Sequence, residues 1–236
     1  MANYLGTSGW YYQHWRGVFY PADLKQSKWF DFYCSKFKTV ELNSTFYHFP
    51  TEKTAQTWYK KSPEGFIYTL KVNRFITHVK KFKGCKKQIR DFYRIGALLK
   101  EKRGCFLFQL PPSLKYSKGK LKEIISCLDG VYKNVVEFRH QSWFKEEVYD
   151  LLKEEGIIYC VVSAPGLPED FKRTAKDVYV RFHGKESWYG SNYSTKELEM
   201  YAKKIKKLRA KNNWIYFNND YKAYAVKNCL MMKKLF

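Results

Sequence analysis

Two rhythms of apolar and polar residues alternate along this chain. Short runs in which oily side chains fall on every second position read as strands, because successive strand side chains point to opposite faces. Residues 4–6 predict a first strand and residues 39–42 a second. In the second, Val40 and Leu42 share an apolar face while Glu41 and Asn43 share the other. Residues 66–71, 105–110, 134–138, 157–162, 178–182 and 214–217 predict six more strands. Between most of them, apolar residues recur three and four apart, as on one face of a helix. Phe30, Tyr33 and Phe37 do so before the second strand, and Leu121, Ile124, Ile125 and Leu128 after the fourth. Phe144, Val148, Leu151 and Leu152 predict another helix, ended by Gly156. Ser194 with Glu197 matches a capping box that opens a helix bearing Leu198, Tyr201, Ile205 and Leu208. Residues 164–177, with Pro165, Gly166 and Pro168, carry little helical pattern.

Eight strands spread over 236 residues allow roughly 30 residues per unit, the size of a strand with its crossover. The total is close to that of a (β/α)8 barrel. An open doubly wound sheet would also alternate, but Gly6-Thr7-Ser8-Gly9 matches neither a GxGxxG turn nor a P-loop. No low-complexity linker divides the chain. The expected fold is therefore α/β, a single TIM-barrel-like (β/α)8 domain over residues 1–236 whose sixth helix is weak or absent.

Barrels of this kind do their chemistry at the C-terminal ends of the strands. Alternation turns Glu41 and Asn43 inward from the second strand, Lys71 from the third and Gln109 from the fourth. It turns Glu137 and Arg139 inward from the fifth, Ser163 from the sixth, Arg181 and His183 from the seventh, and Asn218 and Asp220 from the eighth. The opposite parity is mostly Val, Leu, Ile or Phe, as a layer under helices requires. Three acids, Glu41, Glu137 and Asp220, then face three cations, Lys71, Arg139 and Arg181. Two arrangements satisfy such a set. An internal ion-pair network needs a partner for every charge, because an unpaired buried charge is expensive. An anion-binding mouth would use Arg139 and Arg181 as bidentate clamps and a carboxylate as general base.

Other chemistries fit less well. Glu41, Glu137, His183, Asp220 and His78 are possible metal ligands, but they form no motif such as HExxH and have cations beside them. No metal and no cofactor is expected. No nucleophile elbow supports Ser-His-Asp chemistry. Glu41 and Glu137 could act as the paired carboxylates of a glycosidase, although the fourth strand ends in Gln109 and the seventh carries a cation.

Composition adds partners to this picture. Lys and Arg number 44 against 22 Asp and Glu, a net charge of +22 that attracts nucleic acid, acidic membrane surfaces or anionic small molecules. Residues 71–90 alone hold Lys71, Arg74, Lys80, Lys81, Lys83, Lys86, Lys87 and Arg90 with no acid. Seven Trp, 20 Tyr and 18 Phe exceed what a core of this size hides, so some are expected to line a site. Trp10, Tyr12 and Trp15 lie in an aromatic segment read as an ordered loop over the end of the fold. The six cysteines form no Cys-x-x-Cys clip and mostly sit in apolar segments, as reduced core cysteines do. The N-terminus lacks an apolar signal region, and no window approaches a membrane span. A cytoplasmic protein with no membrane partner is expected.

Seven blocks of the sequence together resemble one family. Gly6-Thr7-Ser8-Gly9-Trp10 with Tyr12, Trp15, Gly17 and Phe19-Tyr20-Pro21 is similar to the opening of the YecE-like family, a domain of unknown function. Val40 through Tyr47 resembles its second block, and Lys71 with Arg74, Thr77 and His78 its third. Phe108-Gln109-Leu110-Pro111-Pro112 resembles the fourth, and Glu137-Phe138-Arg139-His140 with Ser142-Trp143 the fifth. Arg181-Phe182-His183-Gly184 and Phe217-Asn218-Asn219-Asp220 complete the set. The resemblance implies a TIM-barrel-like fold and no settled activity. The sequence departs from the family pattern after Asp220, where a small residue, often glycine, is usual near the place of Tyr221-Lys222-Ala223-Tyr224.

Two functions from different classes follow. The first is an enzyme that binds an anionic, phosphate-bearing substrate at the barrel mouth. There Glu41 or Glu137 moves a proton and His183 or Asp220 assists. Asn43, Lys71, Arg74, His78, Gln109, Arg139, Arg181, Asn218, Trp10 and Tyr12 would contact the substrate. The second is a non-catalytic nucleic-acid-binding protein, in which surface lysines track phosphates and Trp10, Tyr12 and Trp15 stack on bases.

Overall fold

A computed structural model describes residues 2–236. In chain order it runs β1 (Ala2–Thr7), α1 (Trp29–Lys36), β2 (Thr39–Leu42), α2 (Ser44–Tyr47), α3 (Glu52–Lys61), β3 (Ile67–Lys71) and α4 (Lys86–Ala97). It continues with β4 (Arg103–Gln109), α5 (Lys118–Ile125), β5 (Asn134–Glu137), α6 (Glu146–Glu154), β6 (Ile158–Ser163) and β7 (Val178–Phe182). The last elements are α7 (Thr195–Lys207), β8 (Asn212–Phe217) and α8 (Tyr224–Lys233). The strands are all parallel, in the order β1-β8-β7-β6-β5-β4-β3-β2. The two ends of that order nearly meet, so the fold is a single (β/α)8 barrel of the TIM type.

The closure between β1 and β2 is made differently from the other seams. A bridge joins Ser8 to Glu41, and the Tyr33 hydroxyl from α1 fills the gap beside it. That hydroxyl accepts from the Thr7 amide at 3.0 Å and lies 3.0 Å from the Thr39 carbonyl, to which it donates. Gly6 lets the strands approach, since a Cβ there would sit 2.3 Å from the Thr39 carbonyl oxygen.

Local chemistry sets several helix ends. Ser194 and Glu197 form the reciprocal capping box at α7. Thr51 and Ser117 cap α3 and α5 by accepting from Thr54 and Lys120 amides. Gly156 follows α6 with a positive φ of 64°. Residues 164–177 form no helix, so β6 returns to β7 through an irregular segment. Thr174 pins that segment, accepting from the Tyr159 amide and donating to the Ile157 carbonyl. No described helix is long and apolar enough to cross a membrane.

Apolar side chains pack in two layers. One lies between sheet and helices and includes Val40, Leu70, Phe106, Phe108, Val136 and Phe182. The other fills the barrel and includes Cys105, Leu107, Val135, Cys160, Val162, Tyr179, Trp214 and Tyr216. The Tyr216 hydroxyl bonds the Thr39 and Thr69 hydroxyls across the interior. Nearer the C-terminal ends of the strands, this apolar filling gives way to charge.

Candidate functional site

Arg181 occupies the centre of the charged layer and is fully buried. Its Nη2 donates to Glu41 Oε1 and its Nη1 to Glu137 Oε2, each at 2.6 Å. Glu41 also accepts from the Ser8 hydroxyl at 2.7 Å and from the Tyr179 hydroxyl at 2.5 Å. The other oxygen of Glu137 accepts from Nε of Arg139. Both carboxylates are fully buried, and each of their oxygens has a donor. Burial alone would push the Glu137 carboxyl up. Arg139, Arg181 and the nearby His183, whose Nε2 lies 3.5 Å from Glu137 Oε1, together outweigh burial and hold it well below the usual carboxylate range.

His183, also fully buried, lies against both arginines. Its Nε2 is 3.0 Å from Arg139 Nη2 and 3.1 Å from Arg181 Nη1. Two guanidinium groups against Nε2 oppose a second proton on the ring, so the imidazole is neutral. Burial, then the charges of Arg139 and Arg181, push its pKa well below the ordinary value. Nδ2 of Asn218 lies 3.2 Å from Nδ1 and completes the ring's polar contacts. The rings of Trp188 and Tyr189 stand 5.5 and 5.7 Å from the imidazole, and the Arg139 guanidinium lies 4.5 Å from the Trp188 centroid. The loop after β7 therefore roofs this half of the layer.

The other half centres on Lys71, at the end of β3. The residue is 8% exposed, yet its ammonium has no carboxylate or hydrogen-bond partner among the described residues. Its Nζ sits 4.2 Å from the centroid of the Phe46 ring. Burial, then the Arg181 charge, lower its pKa to about 7. His78 packs edge-on against the same Phe46 ring, with centroids 4.9 Å apart. It is carried on a widened turn in which the Lys80 amide bonds back to the Phe75 carbonyl, five residues earlier. Such π-turns occur often at functional sites. Burial, then Lys71 and Arg74, lower the His78 pKa to about 4. Its Nδ1 is 2.9 Å from the Thr77 hydroxyl.

The expected residues thus separate into groups. Glu41, Glu137, Arg139, Arg181, His183 and Asn218 form one bonded network. Lys71 and His78 share Phe46, and Arg74 is exposed beyond them. Gln109, on β4 between Lys71 and Glu137, makes no side-chain bond among the described residues. Trp10, Tyr12 and Asn43 line a separate cavity of about 330 Å³ with Gly9 and Trp58. Its floor joins the network through Ser8, whose carbonyl accepts from Tyr12 at 2.5 Å and from Asn43 at 3.4 Å. Asp220 stands apart from the other acids. It accepts from the Trp15 indole at 2.7 Å and pairs with His14 at 3.0 Å. Burial raises its pKa to about 6, against the lowering effects of Trp15 and His14.

Ser163 departs from the expected parity. Its hydroxyl faces the helices, donating to Glu169 at 2.7 Å and accepting from Tyr193 at 2.9 Å. β6 is apolar on both faces, so alternation along it carries no parity signal, and Cys160 and Val162 are the residues that turn inward. Sequence reasoning missed Ser8, Phe46, Tyr179 and Trp188. Ser8 and Tyr179 share the inward parity of Gly6 and Arg181, a signal that could have found them. Phe46 and Trp188 sit in turns, where no periodicity applies.

Among the described residues no three His, Cys, Asp or Glu side chains stand close enough to share a metal ion. The chemistry on offer is a set of cations and amides at one end of a dry interior. Comparison with known proteins gives the geometry a context. The family model described as "Protein of unknown function DUF72" matches residues 4–236. The UPF0759 protein YunF of Bacillus subtilis is 27% identical over an alignment of 267 residues, covering 98% of this chain and 94% of that protein. The crystal structure of a DUF72 family protein from Thermotoga maritima superposes with a TM-score of 0.90 at 33% identity, covering 100% of this chain and 99% of that one. A DUF72 family protein from Enterococcus faecalis gives a TM-score of 0.86 at 21% identity, covering 99% and 94%.

Proposed function

This chain belongs to the DUF72 family, and from that premise we propose that it is an enzyme whose barrel mouth binds a small anionic substrate bearing a phosphate or carboxylate. One observation carries the proposal. Three neighbouring strands end in donors that the protein leaves uncommitted: the Lys71 ammonium, the Gln109 amide and Nη1 of Arg139. The arginine and glutamate partners around them neutralise one another, so this donor set supplies the net attraction for an anion. Arg181 spends both terminal nitrogens on Glu41 and Glu137 and leaves only its buried Nε unpaired, so its part is to position these acids. It fixes the two acids so that Arg139 is held in place.

Carboxylate acid–base chemistry follows from the same contacts. An anion that draws Arg139 towards itself removes one of the two guanidinium groups holding Glu137 ionised. Burial, the largest upward influence on Glu137, then gains weight, and the carboxylate becomes a better proton acceptor. Trp188, stacked on Arg139, would exclude water from the step.

Thermal unfolding in inorganic phosphate, against chloride at matched ionic strength, tests the binding half. Phosphate is expected to raise the wild-type midpoint in a saturable way, as a ligand that binds only the folded state must. The increment should shrink in Gln109→Ala and vanish in Arg139→Ala, each compared with its own chloride control. An equal increment in all three proteins would remove the mouth from consideration.

A further inference from the structure

We infer that Lys71 is a covalent nucleophile, and that the substrate of this site is an anion carrying an aldehyde or ketone, with which the Lys71 amine forms an imine. The inference rests on the anion-binding mouth proposed above and names the class of substrate it takes.

The placement of Lys71 is unusual for a lysine. Lysines are almost never buried without a partner, and the buried glutamates of this layer are taken by arginines and hydroxyls. Lys71 is left against an aromatic face, where burial and the charges of Arg181 and Arg139 outweigh the opposing pull of Glu137 and Glu41. Desolvation and neighbouring cations together are what activate an amine for Schiff-base chemistry. An ion-pairing role would need the opposite arrangement, an acid at Nζ. His78 packs against the same Phe46 ring and is the proton carrier of this proposal. His78 is neutral at physiological pH, and its Nε2 has no partner among the described residues.

The step balances without an oxidant. The ammonium gives one proton to His78 or to water. The free amine attacks the carbonyl carbon, a C–N bond forms, and the C=O π electrons move to oxygen. A second proton passes from nitrogen to that oxygen, and the first returns to it. Water leaves as the nitrogen lone pair closes the C=N⁺ bond. Two protons have moved from nitrogen to oxygen, and the iminium product keeps the positive charge of the ammonium. Arg139 and Gln109 would hold the substrate's anionic end meanwhile.

Glyoxylate, a small anionic aldehyde, tests the inference on the intact wild-type chain. Incubation at pH 7 with sodium cyanoborohydride converts each imine to a stable carboxymethyl-lysine, which peptide mapping locates and times. At pH 7 an amine of pKa about 7 holds a free-amine fraction about a thousandfold above that of an ordinary lysine. Lower basicity also lowers nucleophilicity, so Lys71 is expected to react at least about tenfold faster than the median exposed lysine. Inorganic phosphate should protect it, and His78→Gln should slow it without altering the exposed lysines. If Lys71 reacts no faster than exposed lysines while phosphate still gives an Arg139-dependent thermal shift, the imine is overturned and the anion site stands. If Lys71 reacts fast and phosphate neither protects nor shifts the midpoint, the nucleophile stands and the anion site falls. If both signals are absent, both are overturned.

Discussion

At the scale of single residues, the charged layer shows how a barrel keeps ions in a dry interior. Arg181, Glu41 and Glu137 sit at 0% exposure, where an unmatched charge costs several kcal/mol. Two acids and two arginines cancel, and hydroxyls of Ser8 and Tyr179 supply the remaining donors. Asp220 is the acid outside this arrangement, and its energetics run the other way. Its folded pKa of about 6 lies above the ordinary value of 3.8, so between these pH values the folded state binds more protons than the unfolded one. Stability from this group is present below about pH 4 and is lost as pH rises through about 6. Removing the charge with Asp220→Asn should abolish that loss. Chemical denaturation of both proteins from pH 4 to 7 is the check: the wild type should lose about 1–3 kcal/mol relative to Asp220→Asn over that interval. A difference that is flat with pH would mean that His14 and Trp15 fully compensate the burial of Asp220.

At the scale of elements, two connections decide the shape of the mouth. The first is the β1–β2 seam, where Gly6 allows β1 to approach the Thr39 carbonyl and Ser8 to reach Glu41. Gly6→Ala would place a methyl group 2.3 Å from a backbone oxygen, which no side-chain rotation can relieve. It should destabilise the fold by about 3 kcal/mol in urea unfolding. Gly119, inside α5, is the matched control, because an alanine methyl group there would meet nothing within 4 Å. Gly119→Ala should be neutral or stabilising by up to about 1 kcal/mol. Equal effects at the two positions would mean that the seam relaxes freely. The second connection is the turn into α8, where Lys222 and Ala223 adopt left-handed φ values of 53° and 57°. Glycine is the residue that takes this conformation without strain. The turn scatters three successive residues: Asn218 reaches His183, Asn219 bonds Asn228 in α8, and Asp220 bonds Trp15.

At the scale of the whole molecule, the net charge of +22 is distinct from the balanced charges of the mouth. Exposed lysines such as Lys196, Lys203, Lys206 and Lys207 carry it along α7, and Arg74 and Lys80 beside the mouth. Arg139 is 9% exposed beneath Trp188, out of reach of a polymer backbone. Single-stranded DNA should therefore bind only at low salt, with affinity falling steeply as salt rises. Fluorescence anisotropy across a salt series should give the same slope for wild type and Arg139→Ala; a loss of affinity confined to the variant would put nucleic acid inside the mouth. The barrel itself was legible from the chain, because strand alternation and helix spacing are local and repeat eight times. The inward parity of Glu41, Glu137, Arg139, Arg181 and His183 was legible for the same reason, and it failed at Ser163, where both faces are apolar. Alternation gives the face of a side chain but not its partner. Only the tertiary structure decided that Arg181 serves Glu41 and Glu137, that Asp220 leaves the other acids for His14, and that Lys71 forms no ion pair among the described residues. Those pairings join strands far apart in the chain, and distances across a barrel are set by closure, which no local pattern encodes.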